Sequence, residues 1–109
     1  TDWGKLSWKI SGQAIPGAES TFGTCTILPG ERNPLHLHPD CEEILYVVSG
    51  ACDHKLGDEI FRLTPGDAIR IPRTVPHWAK CTSEEPLFAL IFFSSGNRTA
   101  VNLEGGGAA

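Results

Sequence analysis

Residues 30–50 read GERNPLHLHPDCEEILYVVSG, and this stretch decides how the rest of the chain is read. In His36-Leu37-His38 two imidazoles stand two residues apart. Successive side chains of an extended strand point to opposite faces, so both rings share one face and Leu37 takes the other. Pro39 and Asp40 then bend the chain, and Glu43 enters after the bend, at the head of an apolar run over residues 44–48. Three side chains with metal-ligating atoms thus fall within eight residues, and a fourth, His77, follows after an interval that two strand hairpins would fill. Imidazole nitrogens and a carboxylate suit zinc, copper, iron, nickel or manganese. A histidine in a small domain is more often exposed or hydrogen-bonded in a core. The spacing, and no single residue, carries the metal reading.

Outward from this stretch, proline and glycine interrupt the chain at short intervals: Pro16-Gly17, Pro29-Gly30, Gly50, Gly57-Asp58, Pro65-Gly66, Pro72, Pro76 and Pro86. Long helices do not fit between them. The intervening segments 22–28, 44–48, 52–56, 60–63, 68–71, 77–81 and 87–93 are short and rich in β-branched and aromatic residues, which predicts strands of a sandwich or barrel. Gly57-Asp58 between two apolar runs predicts a tight hairpin, and Thr64-Pro65-Gly66-Asp67 the next turn. The 109 residues fit one domain, placed over residues 1–103. The remainder, residues 104–109, has little to bury and is expected to form a flexible tail. No internal repeat is present.

The formal net charge is −4 and the nine Lys and Arg residues are scattered, so the basic stripe that nucleic acid or an anionic membrane requires is missing. No apolar run approaches the ~20 residues that cross a bilayer. The opening TDWGKLSWKI lacks the basic-then-apolar order of a secretory signal, and the expectation is a soluble, cytoplasmic protein. With no initiator Met, the first residue need not be the native one. Cys25, Cys41, Cys52 and Cys81 are widely spaced without a C-x-x-C pair, which excludes a zinc knuckle and a thioredoxin-like motif. Their even number permits two disulfides, but a chain that buries its own core has less need of them. A core this modest gains from self-association, and a homodimer is expected.

The pattern Gly30-x5-His36-x-His38-x4-Glu43-x6-Gly50 resembles the first motif of the cupin family at every defined position. Gly66-x5-Pro72-x-Thr74-x2-His77-x3-Cys81 resembles the second in part, with the short intermotif gap of small one-domain cupins. The resemblance implies an all-β, antiparallel jelly-roll barrel with little helix. It also implies one divalent transition metal ion (Mn, Fe, Ni, Cu or Zn) held by His36, His38, Glu43 and His77. Two positions depart from the family pattern. Thr74 replaces the usual glycine, which puts the loop before His77 in doubt because a β-branched residue resists positive φ. Cys81 replaces the usual asparagine and removes an amide.

On the strand after Gly50, alternation puts Cys52, His54 and Leu56 on the inward face, which makes His54 a candidate proton carrier. On the next, Ala79 and Cys81 share the face of His77. Cys52 and Cys81 read as packed thiols, while its loop position allows Cys41 to be exposed. Arg70, Arg73 and Tyr46 are possible substrate contacts. Trp3 and Trp8 on a first strand would cap the barrel or pack against another subunit. The expected function is a metal-dependent enzyme acting on a small, oxygen-rich organic molecule, with dioxygenase-type oxidation favoured over lyase or isomerase chemistry. Glu43, loosened from the ion, could act as a base. A non-enzymatic small-ligand-binding cupin is the alternative.

Overall fold

The computed structural model describes residues 1–104. Ten strands and no helix are found among them: β1 (Gly4–Ile10), β2 (Thr21–Ile27), β3 (His36–Leu37), β4 (Glu43–Ser49), β5 (Cys52–Leu56), β6 (Glu59–Leu63), β7 (Ala68–Ile71), β8 (His77–Cys81), β9 (Leu87–Phe93) and β10 (Val101–Asn102). They form two five-stranded antiparallel sheets, ordered β1-β2-β9-β4-β7 and β10-β3-β8-β5-β6. From β2 onward the chain passes back and forth between the sheets, apart from the β5–β6 hairpin within one of them, which is the jelly roll that the motif resemblance implies. The two sheets face each other as a sandwich and are not hydrogen-bonded into one closed barrel.

Alternation explains the packing. β2 and β9 bury every second residue, and β4 turns Glu43, Leu45 and Val47 inward. Ile27, Val47 and Leu87 lose all exposure, and burying such side chains stabilises the fold by roughly 1.5–3 kcal/mol each. On β5 and β8, Cys52, His54, His77, Ala79 and Cys81 point inward, as the sequence pattern predicts.

The turns follow their residues. Gly57 has φ +60° between Leu56 and Glu59, which suits the first loop position of a two-residue hairpin. Gly50, the last glycine of the first motif, combines φ +76° with a close approach: a Cβ there would lie 2.6 Å from the Pro86 carbonyl oxygen. Any side chain would push β4 and β9 apart at that end. No described helix is long and apolar enough to cross a membrane.

All four cysteines are free thiols, in line with the lesser need for cross-links. Three sequence expectations change. Cys41 is buried. Trp3 lies just before β1 and is buried, while Trp8 is on β1. Glu104, assigned above to the tail, pairs with Arg32 at 2.9 Å and accepts the Leu35 N–H at 2.6 Å. That hydrogen bond adjoins the short β10–β3 pairing, an element too small to leave a sequence signal. The rest of the expected flexible tail lies outside the described residues.

Candidate metal centre and its mouth

The four motif side chains converge from both sheets. His36 on β3 and His77 on β8 are directly opposed in register, which brings their rings to 4.1 Å between centroids. His38 follows β3 on the same face, and Glu43 opens β4 in the facing sheet. One ligand atom from each residue lies within 4.8 Å of the others, and all four residues are buried. Donor atoms on opposite sides of a first-row ion, each at ~2.0–2.2 Å, stand about 4.4 Å apart, so this spacing needs only small side-chain adjustment.

Hydrogen bonding tests the fit further. A carbonyl oxygen only accepts, so each Nδ1 must be the protonated donor: His36 to Pro34 O at 2.7 Å, His38 to Thr99 O at 2.8 Å and His77 to Val75 O at 2.9 Å. In a neutral ring so committed, Nε2 carries a bare lone pair. Burial, with the nearby His77 ring, pushes His36 down to about 3, so it is uncharged at neutral pH. The Nε2 atoms of His38 and His77 each stand 3.2 Å from the same oxygen of Glu43. That of His38 is not in hydrogen-bond geometry and has no other partner. Lone pairs facing a carboxylate repel unless positive charge stands between them, so the donor set fits a divalent cation.

The loop before His77 resolves the doubt raised by Thr74. Its φ is +72°, the left-handed conformation that the family glycine would adopt without strain. The Thr74 N–H donates to His38 O at 2.8 Å, so the strained residue ties the His77 loop to the other histidine segment.

Two spaces meet at this cluster. The inner chamber, about 20 Å³, is bounded by the four residues, His54 and apolar side chains including Leu45, Ile91 and Phe93. It has room for an ion or one water molecule. His54 is almost fully buried, lies parallel to His77 at 5.9 Å and leaves Nδ1 without a partner. Burial and the His77 ring lower it to about 4, so it too is neutral. The second space is a cavity of about 540 Å³ at the open end, which His36 also lines. Its wall comes from β1, the loop after it and residues 96–100, with Trp8, Gln13, Asn97, Arg98 and Thr99 among the lining side chains.

Arg98 was missed by sequence reasoning, which looked to Arg70, Arg73 and Tyr46. Arg70 pairs with Glu42 on the surface at 3.0 Å, Arg73 is exposed, and Tyr46 alternates outward on β4. None lines either space. Arg98 lies outside both motifs, in a loop without a local pattern. Thr99 acts through its carbonyl, which no side-chain pattern could reveal.

A family profile described as "Cupin domain" matches residues 23–93. The chain is 39% identical over 69 residues, or 62% of its length, to Protein SchB of Streptomyces halstedii, covering 50% of that protein. It is 37% identical over 70 residues, 63% of its length, to Polyketide synthase CurC of Streptomyces cyaneus, covering 46% of it. The chain thus spans about half the length of these relatives. Among solved structures, the oxalate decarboxylase of Lactobacillus farciminis, in a formate complex, superposes with a TM-score of 0.87 at 27% identity. That match covers 94% of this chain and 32% of the decarboxylase.

Proposed function

Because the chain belongs to the cupin family, we propose that it is a metal-dependent enzyme acting on a small, oxygen-rich organic molecule. The observation that carries this reading is the convergence of three Nδ1-anchored imidazoles and Glu43 beside a cavity large enough for a substrate. His36, His38, Glu43 and His77 would hold the ion, which would supply Lewis acidity toward a carbonyl, enolate or hydroxyl oxygen. The protein's own part is positioning. The backbone carbonyls of Pro34, Thr99 and Val75 orient the rings, and the apolar chamber keeps bulk water from the cluster. Glu43 and His54 are the groups able to take a proton there. His54 borders the chamber and not the mouth, so it acts from the closed side.

Dioxygenase-type oxidation is the reaction class we favour, supported by the narrow and largely apolar chamber. Lyase chemistry is the second reading. It draws on the hydrogen-bonding side chains of the mouth and on the oxalate decarboxylase likeness. Elemental analysis of wild type, His36→Ala and His77→Ala should show near-stoichiometric metal only in the wild type. Unchanged stoichiometry in both variants would remove the assignment. Oxygen uptake with diketones, catechols and flavonols then separates the reactions, since turnover without uptake favours the lyase.

The active form is proposed to be a homodimer. The outer face of β2-β9-β4 is apolar, with Phe22 stacked on Phe92 at 4.7 Å and Ile44, Tyr46 and Val48 exposed beside them. The outer face of the other sheet carries Asp53, Lys55, Arg62 and Lys80 instead. A contiguous apolar face of this kind is unusual on a monomer. Sedimentation velocity should give a dimer that Phe92→Lys converts to monomer. A monomeric wild type would refute it.

A further inference from the structure

The segment that presents His36 and His38 has little of its own to hold it. β3 is two residues long, and its register with β8 is the one pair His36 and His77. Its other edge is covered by the chain beyond the mouth. Val101 pairs with Leu37 and Asn102 with His36, and the Leu103 N–H donates to Leu35 O at 2.9 Å. Residues 99–104 thus run antiparallel beside residues 35–38 as a strap. The first residue of the strap supplies Thr99 O, the acceptor for His38 Nδ1. The His38 backbone is tied separately, by its carbonyl to the Thr74 N–H, so what the strap controls is the direction of the ring.

A pairing of two residues is weak by itself, and the far end of the strap is closed by Glu104. Its carboxylate accepts N–H groups from both Nη1 and Nη2 of Arg32, at 2.9 and 3.0 Å, and the Leu35 N–H at 2.6 Å. Fork and carboxylate meet bidentately, which is the geometry of the stronger charge-assisted pairs. Pairing with Arg32, helped by the Leu35 N–H, holds the Glu104 carboxyl down to about 2, so the latch is charged at neutral pH. Arg32 is itself fixed. Its Nη1 also donates to Asn33 O at 3.1 Å, and its guanidinium stands 5.3 Å from the centroid of the Trp78 ring. Asn33 is bonded twice to Ala79, through its own N–H at 3.3 Å and through Oδ1 at 2.8 Å. Trp78 and Ala79 belong to β8, the strand that carries His77. The latch therefore fastens the strap to the frame of another ligand.

We propose that Glu104 is a positioning residue for the metal centre: latched to Arg32 and the Leu35 N–H, it keeps the strap on β3, aims the His38 ring through Thr99 O and so slows the loss of the ion. The effect on the ion rests on the metal-centre reading. The hold on His38 does not.

The test is nuclear magnetic resonance of the metal-free protein with isotope-labelled histidine, following solvent exchange of each Nδ1–H, beside the rate at which zinc-loaded protein yields its ion to excess EDTA. Glu104→Gln and Arg32→Gln should each speed exchange at His38 by about threefold to tenfold, the scale of a charge-assisted pair that stays partly in water. The double variant should match the singles, because the two residues close one latch. His77, whose Nδ1–H is held by Val75 O within its own loop, should keep its rate. A general loosening of the fold would move both rings, so equal acceleration at His38 and His77 overturns the proposal, as does unchanged exchange at His38. Zinc release should rise by a similar factor in the variants, and release that stays level while His38 loosens overturns the claim on retention. If the protein takes up no zinc yet exchange at His38 still depends on Glu104, the latch stands and the metal reading fails.

Discussion

The inner chamber and the mouth adjoin each other at His36 and Trp8, yet they are made in different ways. The four metal-ligating side chains and His54 come from strand or motif positions where alternation dictates their direction, and the chamber's walls are packed to the size of an ion. The mouth is assembled from β1, the loop after it and residues 96–100, segments that meet only because β2 and β9 pair between them. Burial governs the chemistry of the chamber, where it depresses two histidines, and backbone carbonyls fix three ring orientations. In the mouth a half-buried arginine is steadied by aromatic faces while retaining access to solvent. The difference teaches that local alternation suffices to aim the chamber's side chains, whereas the mouth exists only through the long-range pairing of β2 with β9.

The largest expected effect separates the two regions directly. His77→Ala should abolish metal retention, whereas Arg98→Gln should leave it intact; metal lost equally from both would mean that the regions are one unit. A smaller effect sharpens the picture of the chamber. In the unfolded chain His54 titrates near its ordinary ~6.5, but in the folded protein it is held at about 4. Between those values the unfolded state binds the extra proton, so stability is fully present above pH ~6.5 and is lost as the pH falls toward 4. This amounts to about 3 kcal/mol for that residue. Thermal unfolding of the metal-free protein at pH 7 and at pH 4.5 should reveal the loss, and His54→Gln should reduce it. An identical pH dependence in His54→Gln would show that the ring is not held neutral.

The smallest effect concerns the loop that carries His77. Thr74 pays for its left-handed backbone with ~1–2 kcal/mol of steric strain. Thr74→Gly should therefore raise stability, by about 1 kcal/mol once the greater freedom of glycine in the unfolded chain is subtracted. Denaturant midpoints measure it. A decrease would mean that the hydroxyl bond from Thr74 Oγ1 to Arg73 O, at 2.5 Å, outweighs the strain.

Most strands were legible because each keeps a two-residue alternation between glycine and proline stops. β4, β5, β8 and β9 lie within a residue or two of where the apolar runs end. β10 escaped notice because two residues, Val101 and Asn102, carry no period. The meeting of His36, His38, Glu43 and His77 could be anticipated because the motif spacing encodes it. The placement of Arg98 could not, since the indole it stacks on lies at the other end of the chain. Tyr46, Arg70 and Arg73 drew attention by residue type alone, and alternation or exposure turned each away from both cavities.

The sequence by itself determined the all-β architecture, the inward face of each strand and the four residues that converge, because alternation and turn chemistry act over a few residues at a time. Only the tertiary structure decided that the sheets stay open as a sandwich, which carbonyls orient the imidazoles, and that Arg98 lies over Trp8 at the mouth. Those contacts join segments distant along the chain, so no local pattern records them.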